Sequence, residues 1–422
     1  MNLYDKVKKK YREKGISGLV KICHEHISSK INNCFYYVCW MFPVDKNLIV
    51  FESEGDLTDN SFALYDYMRR KKLLGKYKVV WLVNDPASAR EYINHEKGFI
   101  NTIFVRKFPN HVCFLRGKYL AGCRFFIYDH SNVKHELHQR KGQKIIYLTH
   151  GFAGYKAGKG STGKEISKPD IVTVTSRLSE DLYPSFEDFG NARFIHAGMP
   201  RLDYFFDKDM GAQERVNRKF SLNKYKKVFL WMPTFRESEH KELSEDYINT
   251  ETHLPILASK EKLKSFNTYL SRNNILLIFK VHPLQSKLPV FQELYSNMIF
   301  LDDNKLHNIN VQLYQFIPMT DALITDYSSI SADYMLLNKP MIFTLDDYAD
   351  YKKSRGGFIP EDPISLWAGA HVYDEKEFYY AIQRIADGFD DYKMDRDRLM
   401  PLFYEHPDGY ASKRICELLG IK

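Results

Sequence analysis

Cysteine is scarce in this 422-residue sequence: the six present, Cys23, Cys34, Cys39, Cys113, Cys123 and Cys416, share no paired metal-ligand spacing. A reduced, cytoplasmic chain is therefore expected. No secretory leader opens the sequence, and no apolar run is long enough to span a bilayer. The longest near the start, Cys34–Phe42, covers about half of the roughly 20 residues a span needs. Solenoid-length repeats are absent, as are low-complexity tracts beyond a lysine-rich start. A strong excess of one charge is also missing. The 61 basic and 53 acidic residues leave a net +8, which suits an acidic substrate or an anionic membrane surface. That excess is too small to argue for nucleic acid, and the strands carry no aromatic-basic stacking platform, so no nucleic-acid partner is expected. With 44% hydrophobic and 15% aromatic residues, disorder is excluded.

What is present begins with an unusual N-terminus. Residues 1–31 hold eight basic side chains (Lys6, Lys8, Lys9, Lys10, Arg12, Lys14, Lys21, Lys30) against Asp5, Glu13 and Glu25, a net +5. The aromatic patch Phe35–Phe42 follows. Basic groups meet anionic headgroups, and Tyr and Trp favour the interface, so residues 1–45 read as a basic amphipathic helical segment lying on a membrane. A solvated helix leading into one packed on the body is the plainer alternative.

From Leu48 onward, apolar strands alternate with helices. Strands are expected within 48–55, 77–85, 102–107, 118–129, 143–151, 171–176 and 193–198. A second series follows within 226–234, 274–283, 298–301, 322–329 and 340–343. Continuous apolar strands separated by helices indicate parallel sheets covered on both faces. The expected fold class is α/β, with two Rossmann-like domains of about 46–200 and 201–422. The closing helix, Ala411–Leu419, is expected to pack back across their junction.

Ligands of such sheets bind beyond the carboxyl ends of the strands. The polar residues expected there are Glu52, Glu54, Asn84, Asp85, His150-Gly151, Thr175 and Ser176 in the first half. The second half adds Thr234-Phe235-Arg236, His282-Pro283 and Thr325-Asp326-Tyr327-Ser328-Ser329. Two histidines, an arginine and a serine pair outline a cleft suited to a diphosphate. Arginine neutralises phosphate, and a neutral histidine accepts a proton from an alcohol. The serine pair reads as the cap of a helix running to Leu337, whose first N–H groups seat a phosphate. Asp326 is open to three roles: orienting His282, binding a donor ribose, or capping that helix.

Six motifs in order then carry a resemblance: His150-Gly151, Gly198–Asp203 (GMPRLD), Met232–Arg236 (MPTFR), Lys280–Pro283 (KVHP), Thr325–Ser329 (TDYSS) and Tyr351–Phe358 (YKKSRGGF). Together they resemble the CDP-glycerol glycerophosphotransferase family of teichoic-acid primases, polymerases and related capsule enzymes. The resemblance implies a GT-B-like enzyme at the cytoplasmic face of the bacterial membrane. It would move a polyol phosphate from CDP-glycerol or CDP-ribitol to a lipid-linked or polymeric acceptor, releasing CMP without a metal or other cofactor. It places catalytic roles on His150 and His282. Donor contacts fall to Gly151, Thr234, Arg236, Pro283, Thr325, Asp326, Ser328, Ser329 and Arg355. Where the family commonly continues His-Gly-Thr-Pro-Leu-Lys, this chain has His150-Gly151-Phe152-Ala153-Gly154-Tyr155-Lys156.

Three other signals carry less. Asp207-Lys208-Asp209 matches a metal-binding DxD but sits in a charged connection. Lys159–Lys164 lacks P-loop spacing. His135 and His138 lie three apart with Glu136 between them and, without further ligands, read as a surface helix face in preference to a zinc site. Two rival readings remain: a GT-B glycosyltransferase using a sugar nucleotide, and a non-catalytic membrane-surface protein on the same scaffold.

Overall fold

A computed structural model describes residues 3–94, 102–107, 111–130, 139–152, 154–155, 169–185, 188–234, 250–280, 288–354 and 357–422. Two parallel sheets organise it. The first contains β1 (Asp45–Glu52), β2 (Lys78–Val83), β3 (Thr102–Arg106), β4 (Cys123–Tyr128), β5 (Lys144–Tyr147), β6 (Ile171–Thr173) and β7 (Arg193–Ile195), in the order β3-β2-β1-β4-β5-β6-β7. The second contains β8 (Lys227–Trp231), β9 (Ile275–Phe279), β10 (Met298–Phe300), β11 (Ala322–Thr325), β12 (Met341–Thr344) and β13 (Ala370–Val372), in the order β10-β9-β8-β11-β12-β13. Each sheet therefore follows the Rossmann winding, with its strand order reversing between β1 and β4 and between β8 and β11. Ten of these thirteen strands fall within the expected segments, β1 and β12 overlap theirs, and the short β13 was not expected.

Alternation along the central strand shows why both faces are covered. Leu48 and Val50 enter one core, with Val80, Leu120 and Phe126. Ile49 and Phe51 enter the other, with Trp81, Tyr65 and Leu64. The same rule divides β8, where Val228 and Leu230 face one core and Phe229 and Trp231 the opposite one.

The expected boundary at 200–201 is crossed in two places. Phe152 and Tyr155, just after β5, are buried in a core formed mainly by the second half; Phe152 packs on Phe403 and Tyr155 on Trp367. Conversely, α5 (Ala411–Leu419) sends Ile415, Cys416 and Leu419 into the core of the first sheet. The second unit thus stops short of 422, because the amphipathic closing helix covers the first sheet. Asp203 fixes that return by accepting from the Ala411 and Ser412 N–H groups at 2.9 and 2.8 Å.

The N-terminal element, α1 (Leu3–Val38), differs from the basic amphipathic helix expected. Gly15, with φ +62°, interrupts it, separating the lysine-rich part from the apolar part. Beyond that break, Ile16, Val20, Cys23, Ile27, Ile31, Cys34 and Val38 recur every three or four residues, and all are exposed. The buried face starts polar and ends apolar: Ser28 and Asn32 turn inward, Asn32 bonds the His111 carbonyl and the Cys113 N–H at 3.0 and 2.9 Å, and Tyr36 enters the core. This face rests on α3 (Phe114–Gly122). Gly117 lets the helices meet, since a Cβ there would lie 2.9 Å from the Tyr36 nitrogen. Gly117→Val should therefore lower stability by about 1–3 kcal/mol and detach α1. Denaturant titration and tryptic cleavage between residues 15 and 42 would register both effects.

Candidate active site

Both topological switch points carry polar loops, and the two loops meet. At the first, α2 (Asp59–Arg70) begins beside the ends of β1, β4 and β5. Three non-glycine residues, Leu57, Asp59 and Thr149, take left-handed φ values of 57°, 58° and 57° there. Such conformations cost on the order of 1 kcal/mol or more each and persist only where surrounding bonds over-determine them. Those bonds are present. The Asn60 amide donates to the Thr149 carbonyl at 2.9 Å, while its oxygen accepts from the Arg201 N–H at 3.0 Å. Asp129 accepts from the Ser61 N–H at 2.8 Å. Lys107 donates to the carbonyls of Ser53, Glu54 and Gly55 at 2.6, 2.8 and 3.1 Å, tying down the loop after β1.

His150 follows β5 with about half of its side chain exposed, and its Nδ1 lies 3.1 Å from Asp59 Oδ2. That carboxylate also takes the Arg201 guanidinium in a fork, at 2.7 and 3.0 Å. From there Arg201 reaches the second unit, donating to Asp333 at 2.6 Å in α4 (Ile330–Met335). Tyr314 completes the chain by donating to Asp333 at 2.5 Å. Arg201 is 4% exposed, so the pairing occurs out of water.

The charges order themselves accordingly. Burial works against ionisation of Asp59, but the Arg201 charge and the His150 bond hold its carboxyl well below the usual range. The crowded setting also works against a charged His150, yet the bond to Asp59 outweighs it and raises the imidazole pKa. Asp129, fully buried and close to the Asp59 charge, is pushed up to about 8. An imidazole with Nδ1–H held by a carboxylate keeps its Nε2 lone pair for a proton.

Gly151 is one point where the two units touch: a Cβ there would lie 3.2 Å from Ser329 Oγ and 3.4 Å from an Arg201 nitrogen, a tight fit that would press on both side chains. The corner beyond β11 is held from below. Thr325 Oγ1 donates to the Met232 carbonyl at 2.8 Å, and the buried Asp326 carboxylate accepts the Thr234 N–H at 2.9 Å. Asp326 thus braces the loop after β8, a role outside the three expected of it.

Ser328 and Ser329 require correction. Ser329 already has helical backbone angles and makes no side-chain cap, and the helix ends at Met335 instead of Leu337. A six-residue helix supplies little dipole, so the corner presents hydroxyls and loop N–H groups more than a helix terminus. The structure thus gathers His150, Gly151, Thr234, Thr325, Asp326, Ser328 and Ser329. Arg236, His282, Pro283 and Arg355 lie outside the described residues, as do His135, His138, Lys156 and the Lys159–Lys164 segment. In the DxD-like triplet, Asp207 pairs with Arg70 and Asp209 caps the helix Met210–Phe220.

Residues 34–420 match the family described as CDP-Glycerol:Poly(glycerophosphate) glycerophosphotransferase. The chain belongs to that family. It is 26% identical over 415 residues to the teichoic acid poly(ribitol-phosphate) polymerase of Bacillus spizizenii, across 92% of this chain and 59% of that protein. It is 23% identical over 418 residues to the teichoic acid poly(glycerol phosphate) polymerase of the same organism, across 93% and 96%. The chain spans about six-tenths of the length of some curated relatives it matches, 59% and 62% for two ribitol-phosphate polymerases. A structure of the wall teichoic acid polymerase TagF, in a variant form, shares its fold, with TM-score 0.74 and 18% identity over 93% of both chains. The two Rossmann-like units thus form a GT-B-like fold shared with that polymerase structure.

Four residues of this family member's site went unassigned from sequence: Asp59, His130, Arg201 and Asp333. His130 was within reach of the strand-end rule that found His150, since it follows β4 directly. Arg201 sat in a quoted motif with no role. Asp59→Asn should shift the His150 titration to lower pH, because the group that raises its pKa loses its charge; NMR of the ring reads this directly. Arg201→Leu should cost roughly 3–5 kcal/mol in denaturant unfolding, since it strands two buried carboxylates.

Proposed function

We propose that this protein transfers glycerol phosphate or ribitol phosphate from a CDP-activated donor to a membrane-associated acceptor in teichoic-acid or capsule-type polymer synthesis. The carrying observation is the Asp59-oriented His150 set against the Ser328–Ser329 corner at the meeting of two switch points. In this reading the acceptor hydroxyl attacks the β-phosphorus of the donor. The bond from that phosphorus to the bridging oxygen breaks, and CMP departs with the oxygen. His150 Nε2 takes the hydroxyl proton. Ser328, Ser329 and Thr234 seat the diphosphate, while His282, Arg236 and Arg355 take its charge, so no metal is required. Such positioned base catalysis is worth about 10²–10⁴ in rate.

The apolar stripe of α1 supports docking on the cytoplasmic leaflet. Its exposed residues continue into Tyr37, Trp40, Met41 and Phe42, and Val112, Phe114 and Leu115 lie exposed at the start of α3. Phe35 and Phe114 join the two groups, their rings 5.4 Å apart. The stripe advances about 3.7 residues per step, so it runs straight along the helix, whereas a left-handed coiled coil needs 3.5. A straight stripe suits a flat lipid surface, and the lysines before Gly15 add up to about 1 kcal/mol each near anionic lipid.

Incubation with CDP-glycerol or CDP-ribitol, a lipid-linked acceptor and membranes should release CMP and add polyol-phosphate mass to the acceptor. Release of another nucleotide from a sugar donor, with none from either CDP-polyol, would establish the glycosyltransferase instead. His150→Ala and His282→Ala should each lower turnover about 10²-fold or more while folded, and Ser329→Asp should abolish CDP binding by charge repulsion. In flotation on anionic vesicles, the double variant Ile27→Glu, Ile31→Glu should stay at the bottom of the gradient. Equal flotation of variant and wild type would remove the membrane assignment and leave the chemistry intact.

A further inference from the structure

The loops that build the His150 site bring together a second set of groups. Glu54 follows β1, His130 follows β4 and His150 follows β5, and one ligand-type atom from each lies within 4.8 Å of the others. His130 Nε2 is 3.4 Å from Glu54 Oε1, and His150 Nε2 is 4.0 Å from Glu54 Oε2. The imidazole rings meet edge to face with centroids 4.6 Å apart. In a tetrahedral zinc site with metal–ligand bonds of about 2.0–2.1 Å, neighbouring ligand atoms are roughly 3.4 Å apart. The Glu54–His130 spacing matches one edge of that tetrahedron, and side-chain rotation would have to close the other two from as much as 4.8 Å.

Two further observations point to a cation. The remaining nitrogen of His150, Nδ1, is already held by Asp59, the carboxylate–histidine arrangement that fixes the tautomer and strengthens an imidazole ligand. The second is access from solvent. Half of the Glu54 side chain stays exposed, leaving an entry path. Of the opposing cations, Lys107 is engaged with backbone carbonyls beneath the loop and Arg201 with Asp59 and Asp333. Two imidazoles and one carboxylate suit zinc-type dications and not Mg2+, which demands an octahedron of oxygens.

We propose that Glu54, His130 and His150 form a three-ligand site for a transition-metal dication of the Zn2+ class, and that metal there excludes His150 from accepting a proton. Zn2+ and the proton compete for one lone pair on His150 Nε2, so the metal inhibits. The binding half stands without the transferase reading; the inhibition half rests on it.

Calorimetric titration of the full chain with ZnCl2 at pH 7.5 should show a site that His130→Ala weakens at least about tenfold, and that Asp59→Asn weakens about 10–100-fold. MgCl2 should give no heat that depends on His130. In the wild type the ring signals of both His130 and His150 should shift with Zn2+ in NMR spectra. Equal Zn2+ affinity and stoichiometry in wild type and His130→Ala would overturn the site. The second arm follows CMP release. Stoichiometric Zn2+ should suppress it and EDTA should restore it, and a rise in turnover with Zn2+ would overturn the exclusion. Failure of CMP release without any metal would count against the transferase reading alone, while the calorimetry still judges the site.

Discussion

One buried guanidinium ties this protein together. Arg201 lies on the segment between the two sheets, forks onto Asp59 at the first switch point and reaches Asp333 beside the second. Two carboxylates that close would repel each other out of water, and a lone arginine there would be costly to bury. Each charge is acceptable because the others are present. The same contact sets the electrostatics of His150, because Asp59 stays ionised under the influence of Arg201 and in turn orients the imidazole. The distance between His150 and the serine corner is thus set by an ion pair as well as by packing.

That coupling is reinforced by hydrophobic exchange. Phe152 and Tyr155 leave the His150 loop for the core of the second unit, and α5 returns from the second half to the core of the first. Neither unit completes its own core. Two domains joined only by a linker could rock freely, whereas here relative motion would pull aromatic side chains out of a shared interior. The His150–Gly151 corner accordingly meets Ser329 at a close approach, which the missing side chain of Gly151 eases.

The N-terminal helix obeys the opposite rule from the rest of the chain. It buries Ser28 and Asn32 and exposes isoleucine, valine and cysteine, because over that stretch its inner face meets the backbone at His111 and Cys113, and only near its end does Tyr36 enter a core. An inverted helix of this kind has no reason to persist in water alone; its apolar face calls for a non-aqueous neighbour.

The sequence by itself determined the two parallel sheets, since long apolar strands between helices admit little else, and the six ordered motifs carried the family. It also placed His150, Gly151 and the Thr325–Ser329 corner at strand ends, where residue type and local pattern suffice. Tertiary structure alone decided which of these groups meet. Asp59, Arg201 and Asp333 lie 142 and 132 residues apart along the chain, and no local periodicity encodes a contact at that separation. Ser329 was misjudged as a cap because the rule reads the residue type, whereas capping depends on backbone angles that the packing of α4 imposes. The inverted face of α1 escaped for the same reason: periodicity marks where the apolar stripe runs, and only the docked neighbour decides whether that stripe faces in or out.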